Sequence, residues 1–261
     1  MRSKRNATRQ DSSFLFRLAI TAIITFFTVA IVAVIIFFGL QLNLTDRGPE
    51  ARIIWIQGIQ LSTALTELHL VADDTHVGVG AVNVYVVDLT NEDIEPLAYM
   101  VNLTRLFFHS QQISDISPLA GLMNLTILII GFCQVSDITP LAGLTSLTYL
   151  SMGFNQVSDI SPLAGLSNLT HLGFTRNQIN DISPLAGLTN LTGLYLGANQ
   201  INNISPLAEL TNLSSLDLSG NQISDISPLT GLTNLSSVFL QANSITDWTP
   251  VAHVENVIGR P

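Results

Sequence analysis

Cysteine is nearly absent from this sequence of 261 residues, since Cys133 is the only one. A single cysteine excludes an internal disulfide, so the fold has to be stabilised by apolar burial. The sequence also lacks a phosphate-binding loop, zinc-spaced cysteines and a nucleophile motif. We therefore predict a protein that is not an enzyme and that binds no cofactor and no metal.

Positive charge is scarce after the first 40 residues. Charged residues make up only 11% of the chain, against roughly 25% in an average soluble protein. Residues 41–261 contain five arginines, no lysine and eighteen acidic residues, whereas residues 1–40 contain five basic residues and one acidic residue. A body this acidic repels a phosphate backbone, which argues against nucleic acid as a partner.

One long apolar run lies near the N-terminus. Residues 18–40 are 23 residues without a charge. As a helix they would be about 34 Å long, enough to cross a hydrocarbon core of roughly 30 Å. A cleaved signal peptide is the alternative, but its apolar region usually covers about 7–15 residues and ends at a small-x-small site, which this run lacks.

The flanks of the run predict its orientation. Basic residues concentrate in residues 1–17, which we interpret as a cytoplasmic tail, and few follow residues 18–40, the predicted transmembrane anchor. Residues 41–51 are polar, contain Gly48 and Pro49, and are interpreted as a linker. The predicted localisation is the cell membrane, with a single pass, the N-terminus in the cytoplasm and the rest of the chain outside.

Proline recurs at a fixed interval of 22 residues through the rest of the chain. The prolines that share this interval are Pro96, Pro118, Pro140, Pro162, Pro184, Pro206, Pro228 and Pro250. Repeat units begin at Leu103, Leu125, Leu147, Leu169, Leu191, Leu213 and Leu235, and an imperfect unit covers residues 81–102. Such self-similarity is typical of solenoids, in which each unit buries its apolar side against its neighbours.

The apolar positions within one unit predict two short elements. In residues 191–212, the spacing of Leu194 and Leu196 has the period of two that is typical of a strand, and turn residues follow at 197–200. Pro206 then begins a return segment that is too short for an α-helix and suits a 3₁₀ turn. Stacking of the units would place their strands parallel, about 4.8 Å apart.

The pattern LTNLTxLxLxxNQISDISPLAG resembles the 22-residue leucine-rich repeat of internalin-class bacterial surface proteins, over about residues 81–256. The resemblance implies an α/β solenoid, a horseshoe with parallel strands on the concave face and 3₁₀ turns on the convex face. It also implies a protein partner, with adhesion as one form of binding. Proteins of this class usually open with a helical cap; residues 52–80 are interpreted as a degenerate cap and residues 257–261 as the C-terminal end.

Two polar columns of the repeat have predicted structural roles. Asparagines such as Asn155 and Asn177 follow the strands, where a side-chain amide can bond the backbone of a turn. Cys133 shares this column and is interpreted as a buried turn residue. Aspartates such as Asp137 and Asp159 are predicted to cap the turn before each proline. Calcium is the alternative, and one carboxylate per loop disfavours it.

The residues that vary between units lie beside the strand leucines. Side chains alternate across a strand, so these residues are predicted to point away from the core. Exposed aromatic residues together with arginine are typical of interface hot spots. The predicted binding residues are Arg105, Phe107, His109, Ile127, Ile129, Phe132, Tyr149, Phe154, His171, Arg176 and Tyr195. Mutual shielding of these side chains on a narrow sheet, without a partner, is the alternative.

These patterns predict a membrane-anchored extracytoplasmic leucine-rich-repeat module that binds a protein ligand through its concave face. A structural scaffold or stalk of the cell envelope, without a single tight partner, is the alternative. An enzyme whose catalytic part lies outside this chain is a third hypothesis. The aromatic cluster separates the first two hypotheses, because a stalk has no use for exposed rings.

Overall fold

The computed structural model describes residues 53–56, 59–62, 67–71, 82–85, 89–109 and 112–260. The predicted cytoplasmic tail, transmembrane anchor and linker, residues 1–17, 18–40 and 41–51, lie outside this part of the chain. Among the described residues, no helix has both the length and the apolar composition that crossing a membrane requires.

The described strands form one hairpin and one sheet of ten parallel strands. The hairpin pairs β1 (Ile53–Ile56) with β2 (Ile59–Ser62). The sheet contains β3 (Glu67–Val71), β4 (Val82–Tyr85), β5 (Arg105–His109), β6 (Ile127–Gly131), β7 (Tyr149–Ser151), β8 (His171–Gly173), β9 (Gly193–Tyr195), β10 (Ser215–Asp217), β11 (Ser237–Phe239) and β12 (Asn256–Ile258). Its order is β12-β11-β10-β9-β8-β7-β6-β5-β3-β4.

From β5 to β11, neighbouring strands pair in a register of one repeat, so equivalent residues form columns across this part of the sheet. Leu128 pairs with Leu150, and Leu150 with Leu172. All three leucines have 0% exposure. Since side chains alternate along a strand, these inward leucines form one continuous core and the residues between them form a second, outward set of columns. The predicted leucine-rich-repeat solenoid is confirmed.

The N-terminal end of the sheet departs from the order of the chain. Strand β3 lies between β4 and β5, so β4, the strand of the imperfect unit, is at the edge. Strand β3 pairs with β5 along its length, with Leu68 opposite Leu106 and Leu70 opposite Phe108. The interpretation of residues 52–80 as a degenerate cap stays a prediction.

Short helical turns return the chain from one strand to the next. Helix α1 (Asn91–Ile94) begins after Thr90, whose backbone N–H donates to the Asp93 carboxylate at 2.9 Å, and continues as the 3₁₀ helix Glu95–Tyr99. Every later unit has a 3₁₀ turn with proline near its start, as predicted. These turns are Ser117–Leu119, Thr139–Leu141, Ser161–Leu163, Ser183–Leu185, Ser205–Leu207, Ser227–Leu229 and Thr249–Val251.

The aspartates that recur in the repeat cap these turns, which confirms their predicted role. The backbone N–H of Ser161 donates to Asp159 Oδ1 at 2.8 Å, and that of Thr139 donates to Asp137 Oδ1 at 2.8 Å. These backbone bonds, and then the hydroxyls of the same residues, hold the pKa of both carboxyls below its ordinary value. Asn203 occupies the column once and accepts the equivalent bond at 3.0 Å.

The asparagine column joins each unit to its neighbour from inside the solenoid. The buried Asn177 amide donates to the carbonyls of Met152 at 2.9 Å and Phe174 at 3.1 Å, and its Oδ1 accepts from the Val157 N–H at 2.9 Å. These bonds pair backbone groups that would otherwise be buried without partners. Cys133 takes this position in its unit and is only 6% exposed, as expected for a buried turn residue.

Candidate binding surface

All of the predicted binding residues lie on the outward side of the sheet or at the strand exits, which we call the strand face. In β5 the buried Leu106 separates the exposed Arg105 from the half-buried Phe107. In β6 the half-buried Ile127 and Ile129 flank a buried leucine in the same way. The alternation that the repeat predicts therefore directs the variable residues toward solvent.

The residue at each strand exit has a left-handed backbone conformation in β6 and the following units. Its φ is 54° at Phe132, 59° at Phe154 and 57° at Arg176. For a residue other than glycine this conformation costs on the order of 1–2 kcal/mol. The equivalent residues of later units are Ala198, Gly220 and Ala242. The left-handed exit is therefore a feature of the repeat, and only the bulky side chains at Phe132, Phe154 and Arg176 distinguish these units from the later ones.

The exit residues Phe132, Phe154 and Arg176, together with His109 at the end of β5, form a continuous stack of side chains that we call the exit stack. The rings of Phe132 and Phe154 lie parallel with centroids 4.2 Å apart. His109 packs on one end, 6.1 Å from Phe132, and the Arg176 guanidinium lies 5.1 Å from the Phe154 centroid at the other end. The distances fit offset ring stacking and a cation–π contact.

A second stack, the strand stack, consists of the rings of Tyr149 and His171, with Tyr195 beside His171 across Gly193. The rings of Tyr149 and His171 lie 5.6 Å apart at an interplanar angle of 22°. Gly193 leaves room for the rings of both His171 and Tyr195, because a Cβ on it would lie 2.8 Å from His171 Cδ2 and 3.2 Å from Tyr195 Cε2. His171 Nδ1 also lies 3.1 Å from Thr170 Oγ1, which orients the ring.

Between the two stacks lies a groove with a volume of about 420 Å³. Its floor consists mainly of small residues, namely Gly131, Ser151, Gly153, Gly173 and Thr175, with Ile129 at the side of β6. The near absence of side chains on the floor lets an occupant approach the sheet backbone. The residues that line the groove include no aspartate, glutamate, lysine or arginine.

The structure brings most of the predicted binding residues together. The groove is lined by His109, Ile129, Phe132, Tyr149, Phe154, His171 and Tyr195, whereas Arg105, Phe107, Ile127 and Arg176 lie on the strand face without lining it. The floor residues were missed by the sequence analysis. A signal for them was present, since glycine and serine fill the outward columns in the units whose neighbouring columns hold rings.

Charge is distributed unevenly over the strand face. Strands β5–β9 contain no acidic residue, and the first acidic residue in this series is Asp217 in β10, which pairs with Tyr195. Residues 89–260 contain three arginines against twelve acidic residues, and one of these arginines, Arg176, caps the exit stack. In the part of the chain that the structure describes, no three histidine, cysteine, aspartate or glutamate side chains are grouped so as to hold a metal ion.

Solved structures with the same architecture establish the family of this chain. Internalin C2 of Listeria monocytogenes is 40% identical and superposes with a TM-score of 0.60, over 66% of this chain and 76% of the internalin. The chain is a leucine-rich-repeat protein of the internalin type. A second internalin from the same organism, InlF, is 35% identical with a TM-score of 0.59, over 69% of this internalin-like chain and 60% of InlF.

Further comparisons agree with this family. The family described as leucine-rich repeats in two copies matches residues 123–165, 167–209 and 211–253 of the internalin-like chain. A leucine-rich-repeat protein of Leptospira interrogans shares the fold at 21% identity and a TM-score of 0.53, over 64% of this chain and 49% of that protein. No curated protein sequence matches at a significant level. The leucine-rich-repeat fold is consistent with protein–protein binding.

Proposed function

We propose that this protein is a membrane-anchored, extracytoplasmic leucine-rich-repeat module that binds a protein partner through its strand face. The internalin-type repeats are the recognition element, and attachment to a second cell is the form of binding that the family resemblance implies. Residues 18–40 are the anchor in this proposal, and the repeats face outward because basic residues precede that run.

The observation that carries the proposal is the aromatic groove. Phe132 and Phe154 are 52% and 40% exposed, unusually high for phenylalanine side chains that already stack on each other. Both residues also occupy left-handed backbone positions where alanine or glycine serves in other units. A purely structural repeat has no need of these side chains, whereas exposed rings around a concave site are characteristic of binding hot spots.

Partner capture on intact cells tests the proposal. The triple variant Phe107→Ser, Tyr149→Ser, Phe154→Ser removes rings from the strand face without touching the buried leucines. A label fused after residue 261 should mark the same external protein with the wild type and with the control Phe239→Ser, which lies in β11 away from the groove. The triple variant should lose this protein while its circular dichroism spectrum stays unchanged.

Two results would reject parts of this function. Capture of the same protein by the folded triple variant would exclude the strand face as the binding surface and would favour the scaffold hypothesis. Labelling of cytoplasmic proteins alone would exclude the outward orientation of the repeats, whatever the state of the groove.

A further inference from the structure

The chemistry of the groove restricts what can occupy it. Rings stand on both sides, with Phe132 and Phe154 on one and Tyr149 and His171 on the other, and no lysine, arginine or carboxylate lines the site. A charged group placed here would lose hydration without gaining an opposite charge. A flat uncharged ring gains stacking contacts at both walls. The volume of about 420 Å³ is at the small end of ligand sites, which suits one large side chain.

The polar groups of the groove disfavour a sugar as the occupant. A sugar ring carries several hydroxyl groups, and each one that is buried without a partner costs free energy. The lining offers the hydroxyls of Ser151, Thr175 and two tyrosines, but no asparagine, glutamine or acidic side chain that could bond two sugar hydroxyls at once. These few donors and acceptors suit the backbone of a peptide beside its ring.

Two charged residues of opposite sign adjoin residues that line the groove. Arg176 is exposed at the end of the exit stack. Asp217 lies one strand beyond Tyr195, and one of its carboxylate oxygens accepts from the Ser219 N–H at 2.9 Å. Charge complementarity therefore favours one acidic and one basic group on the partner segment. A strongly acidic segment would be repelled by the rest of this acid-rich chain.

We propose, on the basis of the function proposed above, that the groove receives one aromatic side chain from an extended segment of the partner protein. The ring lies between the exit stack and the strand stack, over the small residues of the floor. An acidic side chain of the same segment faces Arg176, and a basic side chain faces Asp217. The internalin-type repeats thus recognise an aromatic residue with an acid on one side and a base on the other.

Nuclear magnetic resonance of the isoleucine methyl groups tests this inference with the full-length chain in non-ionic detergent micelles. Ile129 lines the groove and Ile245 lies outside it, so their methyl signals are probe and control. The probe ligand is the capped peptide Asp-Gly-Trp-Gly-Lys. Addition of this peptide should shift the Ile129 methyl signal in a saturable way, through the ring current, and leave the Ile245 signal unchanged.

Matched peptides separate the ring from the charges. Replacing tryptophan by serine should weaken binding by about tenfold or more, as for loss of a hot-spot side chain. Replacing both charged residues by serine should weaken it by only about two- to fivefold, because the charges are exposed. Phe154→Ser in the protein should remove the Ile129 shift, with the methyl signal of the buried Ile204 confirming that the variant is folded.

Three outcomes would overturn the inference. One is no shift of Ile129 at about 1 mM peptide, the weakest binding of interest. Another is equal binding of the tryptophan and serine peptides, and the third is a shift produced by chitotriose but not by the peptide. If any of these occurs while partner capture stays sensitive to the triple variant, the ring-in-groove inference fails and the proposed function stands. If the triple variant captures the partner as well as the wild type does, the proposed function itself is rejected.

Discussion

Strands β6–β8 and strands β10–β11 have the same core and different surfaces. Leu150 and Leu216 both have 0% exposure and belong to the same column of the sheet. At the strand exits, β6 and β7 are followed by phenylalanine, whereas the equivalent residues after β10 and β11 are Gly220 and Ala242. The inward residues therefore repeat while the outward residues do not.

This difference distinguishes the residues that the repeat needs in order to fold from the residues that it does not need. The exit position tolerates glycine and alanine in the same left-handed conformation, so the repeat does not need a ring there. The stacked rings of Phe132 and Phe154 are a local feature of one part of the sheet. The inward columns stabilise every unit, whereas the outward columns of β5–β9 are the recognition surface in the function proposed above.

The largest expected effect tests the equivalence of the two cores. Leu150→Ala and Leu216→Ala should each lower the free energy of unfolding by about 2–5 kcal/mol, because each leaves a cavity in a fully buried column. Urea unfolding followed by circular dichroism measures both. A cost near zero at either position would contradict the shared core.

The asparagine column should distinguish the middle of the solenoid from its end. Asn177→Ala leaves the buried Val157 N–H without a partner and removes one of the two amide donors to each of the Met152 and Phe174 carbonyls, and should cost about 2–3 kcal/mol. Asn243 makes similar bonds but is only half-buried, so water can replace its amide and Asn243→Ala should cost about 1 kcal/mol. The same denaturation experiment compares them. Equal losses of unfolding free energy in the two variants would show that the burial of each asparagine does not determine how much it stabilises the fold.

A smaller effect on stability is expected at the strand exits. Phe154→Gly relieves a left-handed conformation worth on the order of 1–2 kcal/mol and loses ring stacking worth about 0.5–1.5 kcal/mol. The two nearly cancel, so the free energy of unfolding should change by less than about 1 kcal/mol while partner binding is lost. Ala198→Gly is the control for the backbone alone. A cost above about 3 kcal/mol for Phe154→Gly would make that residue structural, which the account denies.

The smallest effect concerns pH and should be the same in both regions. The backbone and hydroxyl bonds from Ser161 and Ser227 hold the pKa of Asp159 and Asp225 below the ordinary 3.8. A carboxyl whose pKa is lower in the folded state stabilises the fold above about pH 3.8, and this stabilisation is lost as the pH falls through the folded value.

Asp159→Asn and Asp225→Asn test this dependence. Asparagine keeps the cap, as Asn203 does, but cannot titrate, so each variant should show a flatter decline of stability below pH 3.8. Urea titrations at several acidic pH values measure the slope. A slope identical to that of the wild type would mean that these caps do not contribute to acid unfolding.

Much of the fold is predictable from the 22-residue spacing alone. The Leu-x-Leu pairs and the prolines predict the strands and the 3₁₀ turns because one local pattern recurs in each unit. The position of β3 was not predicted, because residues 65–70, LTELHL, have the Leu-x-Leu spacing of a repeat strand but lie outside the proline interval. The left-handed exits were not predicted either, because phenylalanine and arginine have no preference for that conformation.

The sequence predicts which aromatic residues belong to the candidate site, but it does not predict the shape of the groove. Alternation along the strands predicts that Tyr149 and His171 face outward, but their stacking and the depth of the groove depend on contacts between units. The small residues of the floor could be recognised as part of a site only from the positions of the rings around them. The repeat pattern predicts which residues share a column of the sheet, whereas the shape of the groove depends on how the side chains of neighbouring columns pack.

Radical footprinting of the full-length protein with and without its captured partner is the most direct test of the central claim. The exposed rings of Phe132 and Phe154 should be oxidised in the free protein and protected in the complex, while the half-buried Phe239 in β11 is oxidised equally in both. Unchanged oxidation of Phe132 and Phe154 on binding, or protection of Phe239 instead, would contradict a recognition site confined to the strand face of β5–β9.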